Sequence, residues 1–233
     1  MKKLTLAFLL AAPIAFSSLG YASKEESKPA ASVVTTAVKT PLAEMPAGKY
    51  DLDPIHFSVT WSVKHMEMMN YVGRFTRVEA TLDLDPKDPT KSGLVVKIDP
   101  KSLLTDYSLG KEHTKNEKYI KRDFEKELIM QEQWFNSEKF PEITFVVKKI
   151  EKINDKAGVM HGDLTFLGVT KPIKLDVVYN ASMLAKPYDG RPVIGFSAKG
   201  KINRADFGQK TIFDAILSNE VELMIEAEFL KKA

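Results

Sequence analysis

From Glu220 to Phe229 the chain alternates with a single exception, Met224. Val221, Leu223, Ile225, Ala227 and Phe229 are apolar, while Glu220, Glu222, Glu226 and Glu228 are acidic. A period of two suits a β-strand with one dry face and one wet face, because successive side chains leave opposite sides of the pleat. The same period runs through Phe57–Val63, Val78–Leu84, Leu94–Ile98, Ile143–Val147, Met160–Phe166, Ile173–Val177 and Ile194–Ile202. Strands of this kind, about eight in all, must bury their apolar faces together, as a sandwich or as a closed barrel. At eight strands a barrel interior holds either its own side chains or one small ligand. Periodicity alone leaves that choice open.

One segment breaks the pattern. Gly110–Gln133 lacks proline, is rich in Lys, Glu and Gln, and repeats Ile120, Phe124 and Leu128 at every fourth residue. This spacing predicts an amphipathic helix between the third and fourth strands, with its apolar face over one opening of the sheet. The connection "GVTKP" after Phe166 reads as a tight turn, with Gly168 permitting the bend and Pro172 opening the next strand.

The N-terminus reads as an address. Lys2 and Lys3 precede a short apolar run, Leu4–Phe16, and "LGYA" ends in small residues suited to cleavage after Ala22. Residues 1–22 are therefore predicted to be a signal peptide. The run is shorter than the roughly 20 residues of a spanning helix, so no transmembrane segment is expected in the mature chain. Cleavage removes two lysines and no acid, leaving 32 Lys+Arg against 31 Asp+Glu. So even a balance carries no nucleic-acid footprint. Residues 23–48, rich in Ala, Ser, Thr, Lys and Pro, read as a flexible tether before a domain over residues 49–233. The signal fits export to a periplasm. The chain has no cysteine, which excludes thiol catalysis, thiolate metal sites and haem attached through Cys.

Five short stretches, in order, carry a resemblance: "YDLDPIHFSVTWSVKH" (50–65), "VGRF" (72–75), "FPEITF" (140–145), "GDLTFLGVTKP" (162–172) and "INRADFG" (202–208). Together they resemble the YceI family of secreted, lipocalin-like proteins. The resemblance implies an all-β fold, an eight-stranded antiparallel lipocalin-like barrel with one inserted helical segment. It also implies a long apolar channel holding a polyisoprenoid or similar amphiphile, no catalytic cofactor, and a homodimer. The stretch "KRDFEKELIMQEQWF" departs from the family pattern: Arg122 and Asp123 are present, but no His-Leu pair follows, and the spacing to Trp134 and Phe135 is longer.

The candidate ligand contacts follow from alternation and resemblance together. Phe57, Trp61, Phe145, Phe166 and Phe196 project from the apolar faces of different strands. Phe75 in "VGRF", Phe124 on the helical face, Phe207 in the terminal turn and His65 after the first strand complete the set. Gly162 and Gly200 also fall on inward positions, where small residues are expected to leave room for a ligand. Arg204 and Asp206 are expected to pair at that end. The four histidines, His56, His65, His113 and His161, form no metal-like spacing, so no metal site is expected. His56 and His113 are expected to be solvated. No nucleophile elbow, P-loop or dinucleotide fingerprint occurs. The competing readings are an outer-membrane barrel with its alternation inside out and an enzyme for a small hydrophobic substrate. The first would crowd the acidic residues of the last strand into a narrow lumen.

Overall fold

The computed structural model describes residues 39–209 and 216–233. The expected signal peptide and most of the expected tether lie outside them. The strands are β1 (Gly48–His65), β2 (Met69–Phe75), β3 (Val78–Leu84), β4 (Gly93–Ile98), β5 (Leu103–Thr105), β6 (Ile143–Lys152), β7 (Ala157–Phe166), β8 (Val169–Met183), β9 (Val193–Asn203) and β10 (Leu217–Lys231). All pairings are antiparallel, and β10 returns to pair with β1 along most of its length. The result is a closed eight-strand barrel, because two of its staves are each built from two pieces. β1 pairs with β2 from Val59↔Phe75 to His65↔Met69, and with β3 from Gly48↔Leu84 to Asp51↔Thr81. β4 and β5 are likewise consecutive along one stave, broken by a 3-10 turn at Pro100–Ser102. Buried Ser102 joins the two breaks: its Oγ accepts from Thr76 N (3.2 Å) and Arg77 N (2.9 Å). Pairing of β10 with β1 closes the wall, and the unpaired edge that remains is short: β5 pairs only with β2, and β6 meets β4 only over Ile143–Val146.

The alternation of β10 decides which way the barrel faces. Leu223 and Ile225 pack inward, while Glu220, Glu222, Met224 and Glu226 are exposed. Lys201 on the neighbouring strand answers the outer acids at 2.7 Å (Glu220) and 3.3 Å (Glu222). The inside-out arrangement of a membrane barrel is thus not the one this chain adopts.

Two local expectations need correction. The connection after β7 is only Leu167–Gly168, both at positive φ (51° and 74°), the backbone that a two-residue hairpin turn requires. Thr170, Lys171 and Pro172 already belong to β8. Pro172 sits opposite Asp163 on β7, and the ladder to β9 begins only at Leu175, so its missing N–H leaves no partner unserved. The helical segment is three short helices, α1 (Tyr107–Lys111), α2 (Glu117–Ile120) and α3 (Phe124–Met130). Asn116 and Asp123 break it: each has a non-helical backbone and accepts, through its side chain, an N–H of the next helix (3.1 Å to Lys118 and to Lys126). In consequence Ile120 is exposed, and only Phe124 and Leu128 turn inward.

Candidate ligand channel

Buried side chains form two clusters, one around Phe75, Phe145, Phe166 and Leu175, the other around Tyr50, Leu82, Ile194 and Phe229. Between and through them runs a cavity of about 1370 Å³. At one end its lining includes His65 and Met69 of the β1–β2 hairpin, together with Tyr119 and Phe124. At the other it includes Thr40, Leu42, Lys87 and Lys156. The middle is apolar, with Val59, Leu82, Val96, Leu164, Ile225 and Phe229 contributed by different strands. Drug-sized pockets run to about 300–1,000 Å³, so this interior is larger than a compact ligand needs.

Of the nine expected contact residues, Phe57, Trp61, His65, Phe75, Phe124, Phe145, Phe166 and Phe196 line this cavity. Phe207 does not. It is 2% exposed and packs behind Phe166, with ring centroids 5.8 Å apart, so it is part of the wall. Its neighbour Arg204 does not pair with Asp206. Its guanidinium donates to the carbonyls of Ser218 (2.9 Å) and Leu217 (3.2 Å) at the start of β10, tying the turn to the closing strand.

The glycines do something other than leave room. A Cβ on Gly162 would stand 2.5 Å from the Phe145 ring, and one on Gly200 2.5 Å from Leu175 Cδ2. A Cβ on Gly73 would overlap the Trp61 indole. These sites are already covered, each by a bulky side chain lying on a neighbouring strand. Trp61 and Gly73 are directly opposed across β1 and β2, which is how the indole comes to lie flat against the wall.

Phe135 is one of several lining residues, with Tyr71, Tyr107, Tyr119 and Trp134, that the sequence pattern does not reveal. It touches Trp61 (6.1 Å between centroids), Phe75 (5.5 Å) and Phe166 (5.7 Å), and lies in a segment with no strand or helix period to reveal it. Tyr71 is hidden because β2 carries an outward Val72 and an inward Gly73, which break the apolar alternation around it. Glu125 is the buried acid of the helical cap. Burial pushes its carboxyl up, but hydrogen bonds from Thr105 (2.7 Å) and from the Ser108 N–H (3.2 Å) outweigh this and hold it below its ordinary value. Arg122 pairs with Glu127 and stacks over Phe124, 4.6 Å from the ring centroid, and Asp123 caps α3. In this chain the divergent segment therefore serves to seat a cap on the barrel.

At the far end, β1 bulges. Four residues, Asp53 to His56, lie between the pairs Leu52↔Phe229 and Phe57↔Ala227, where β10 has only Glu228. Asp53 holds the bulge by accepting from the N–H groups of Ile55 (2.9 Å) and His56 (3.3 Å). Ligand atoms of Asp53, His56 and Glu228 lie within 4.8 Å of one another. The cation among them is supplied by the chain: Lys186 Nζ is 2.5 Å from Asp53 Oδ2, 2.5 Å from Glu228 Oε2 and 2.9 Å from His56 Nδ1. His56 is exposed, as expected, and also pairs with Asp53. His113 is exposed, and His161 lies 3.4 Å from Glu151.

A closed antiparallel barrel with an aromatic-lined apolar interior defines a lipocalin-like binding protein. The chain belongs to the YceI family: residues 50–229 match its YceI-like domain. Protein YceI of Escherichia coli O6:H1 is 30% identical over 184 residues, 77% of this chain and 84% of the relative. The crystal structure of the Campylobacter jejuni YceI protein is 33% identical, covers 69% of this chain and 85% of that one, and superposes with a TM-score of 0.55. A polyisoprenoid binding domain from Saccharophagus degradans implicated in plant cell wall breakdown superposes at 0.51, over 80% of this chain and all of that one, with 12% identity. At that identity the likeness is one of fold.

Proposed function

We propose that the protein is an exported, periplasmic carrier that holds a long-chain polyisoprenoid, or an amphiphile like it, lengthwise in the barrel. The observation that carries this reading is the apolar channel of about 1370 Å³. Each CH₂ buried contributes about 0.8 kcal/mol, so an apolar-lined interior of this size binds such a chain without any reactive group. The polar end of the ligand stays at a mouth, where His65 is within the lining. The role is binding rather than catalysis: aromatic and aliphatic side chains dominate the walls, and the ordered acid of the cap, Glu125, has its carboxylate engaged by Thr105 and Ser108. Export is supported by the reading of residues 1–22, and the secreted chain is expected to begin at Ser23.

The test is to purify the protein from its native compartment, extract it with organic solvent and identify what is released by mass spectrometry. Delipidated protein is then melted with and without a long-chain polyprenol. At a ligand concentration of about 100 Kd the linkage stabilisation is about 2.7 kcal/mol, a rise of roughly 5–10 °C for a domain of this size. Absence of any co-purifying lipid, together with a melting temperature indifferent to polyprenol, overturns the proposal.

A further inference from the structure

We infer that the hairpin end of the barrel is a membrane-docking surface, through which the channel is presented to a bilayer carrying anionic headgroups. The inference rests on the carrier reading and adds where loading takes place. Exposed apolar side chains occur at both ends of the barrel, with Ile55 and Ile153 at the far one; at this mouth they are Met66, Met68 and Met69 at the β1–β2 tip, Ile120 and Tyr119 on α2, and Ile216, whose carbonyl accepts from Met66 N at 2.6 Å. Met68 is 82% exposed. Met69 and Tyr119 belong to this rim and also to the channel lining, so the apolar surface is continuous from the outside of the protein to its interior. The tip turns through Met66 and Glu67, both at positive φ (52° and 55°). Gly or Asn ordinarily fills such positions. The turn's own geometry therefore does not call for methionine there.

Charge indicates the occupant. Beside the apolar rim, Lys121 is paired with Glu117 and Arg122 with Glu127, which leaves Lys111, Lys115 and Lys118 against Glu112. These lysines give this part of the rim a local positive excess. Lys115 and Lys118 are exposed. Apolar side chains that enter the acyl boundary, ringed by lysines at headgroup level, are the two components of interfacial membrane binding. Glu67 at the tip is exposed and stays at the level of the headgroups. A long-chain lipid passing from bilayer to channel through such a contact never crosses bulk water, where exposing its chain is what costs most.

The experiment is co-flotation of the full protein with vesicles of phosphatidylcholine containing phosphatidylglycerol, against vesicles of phosphatidylcholine alone. Polyprenol binding in detergent solution is measured in parallel. Wild type is expected to float with the anionic vesicles and to be released by salt. Met68→Asp is expected to weaken partition by about tenfold, and Lys115→Gln with Lys118→Gln by about thirtyfold. Ile55→Asp, at the opposite end and equally exposed at 82%, is expected to change nothing. All variants should bind polyprenol in solution as wild type does. If wild type binds polyprenol but ignores the vesicles, or if Ile55→Asp loses as much as Met68→Asp, the docking surface is wrong and the carrier reading stands. If the vesicle results hold and polyprenol binding fails, the carrier reading falls while the membrane contact remains. A wild-type dimer that Met68→Asp converts to monomer, without effect on vesicles, assigns the patch to a second copy and overturns the inference.

Discussion

Lys186→Met is expected to destabilise the protein by about 3 kcal/mol, at the lower end of the range for breaking a buried ion pair. Asp53 has a side chain only 6% exposed and Lys186 one only 13% exposed, whereas Glu228 is 39% exposed and can turn to water. Removing the ammonium therefore strands one carboxylate rather than two. In the wild type, burial pushes the Asp53 carboxyl up, but Lys186, the Ile55 N–H and His56 together hold it well below the usual carboxylate range. A carboxyl lowered in the folded state contributes stability that is present above its unfolded value, near pH 4, and is lost as pH falls below that. Burial likewise pushes the Lys186 amine down, while Asp53 and Glu228 more than reverse this, and its value is raised. That share of stability is present below about pH 10 and is lost as pH rises through the folded value. The difference between wild type and Lys186→Met in urea unfolding should thus be largest near neutrality and shrink on acidification, since protonating Asp53 relieves the variant. Adding Asp53→Asn to the variant should recover part of the loss. A cost below 1 kcal/mol with no pH dependence would show the cluster to be an ordinary surface contact.

Phe207→Ala should cost about 3–5 kcal/mol, as expected for an aromatic deleted from a solid core. Phe207 is 2% exposed and lies outside the channel lining, so its removal opens a void where none exists. Phe196→Ala and Trp61→Ala should behave differently. Both side chains face a cavity already present, and truncation enlarges it instead of creating one. Their apo proteins should lose well under half as much stability. Their affinity for polyprenol should fall by tenfold or more, because each contributes apolar wall worth about 1.5–3 kcal/mol to a ligand packed against it. The measurement is melting of apo and polyprenol-loaded protein for all three variants. Equal losses of apo stability in all three, with no change in the ligand-dependent rise, would mean that the interior is packed and the channel carries nothing.

Much of the barrel is legible in the sequence because a period of two records which face is dry. The strand segments read from alternation all fall in the wall, and eight of the nine expected contacts face one cavity. The failures have physical causes. β5 has only three residues, and in β2 an apolar Val72 faces outward while Gly73 faces inward, which inverts the alternation that would announce it. The helical period over Ile120, Phe124 and Leu128 is real as a spacing, but the caps at Asn116 and Asp123 divide it, and capping is set by local hydrogen bonds that a hydrophobic period does not register. Lys186 lies on a loop, far in sequence from Asp53 and Glu228, and only closure of β10 onto β1 brings the three together. Phe207 is apolar and stands in a family motif, yet that motif's turn points it into the wall. The inward glycines lie on the face that alternation assigns them, but alternation does not show that a large residue on a neighbouring strand fills the space each one leaves.

That filling makes the width of the bore adjustable at positions that never touch the ligand. Trp61, Phe145 and Leu175 are thin because glycine lets them recline, so the gauge of the passage is set beneath the rings rather than by them. A single methyl at Gly73 has only the indole to push against among its nearest neighbours, and Gly73→Ala should tilt Trp61 into the passage, visible as a change in its fluorescence. A slender polyprenyl chain would then be throttled while every aromatic contact residue stays in place. Barrels alike in their aromatic lining can thus differ in calibre, and so in the thickness of chain they admit, by one carbon atom placed behind the wall.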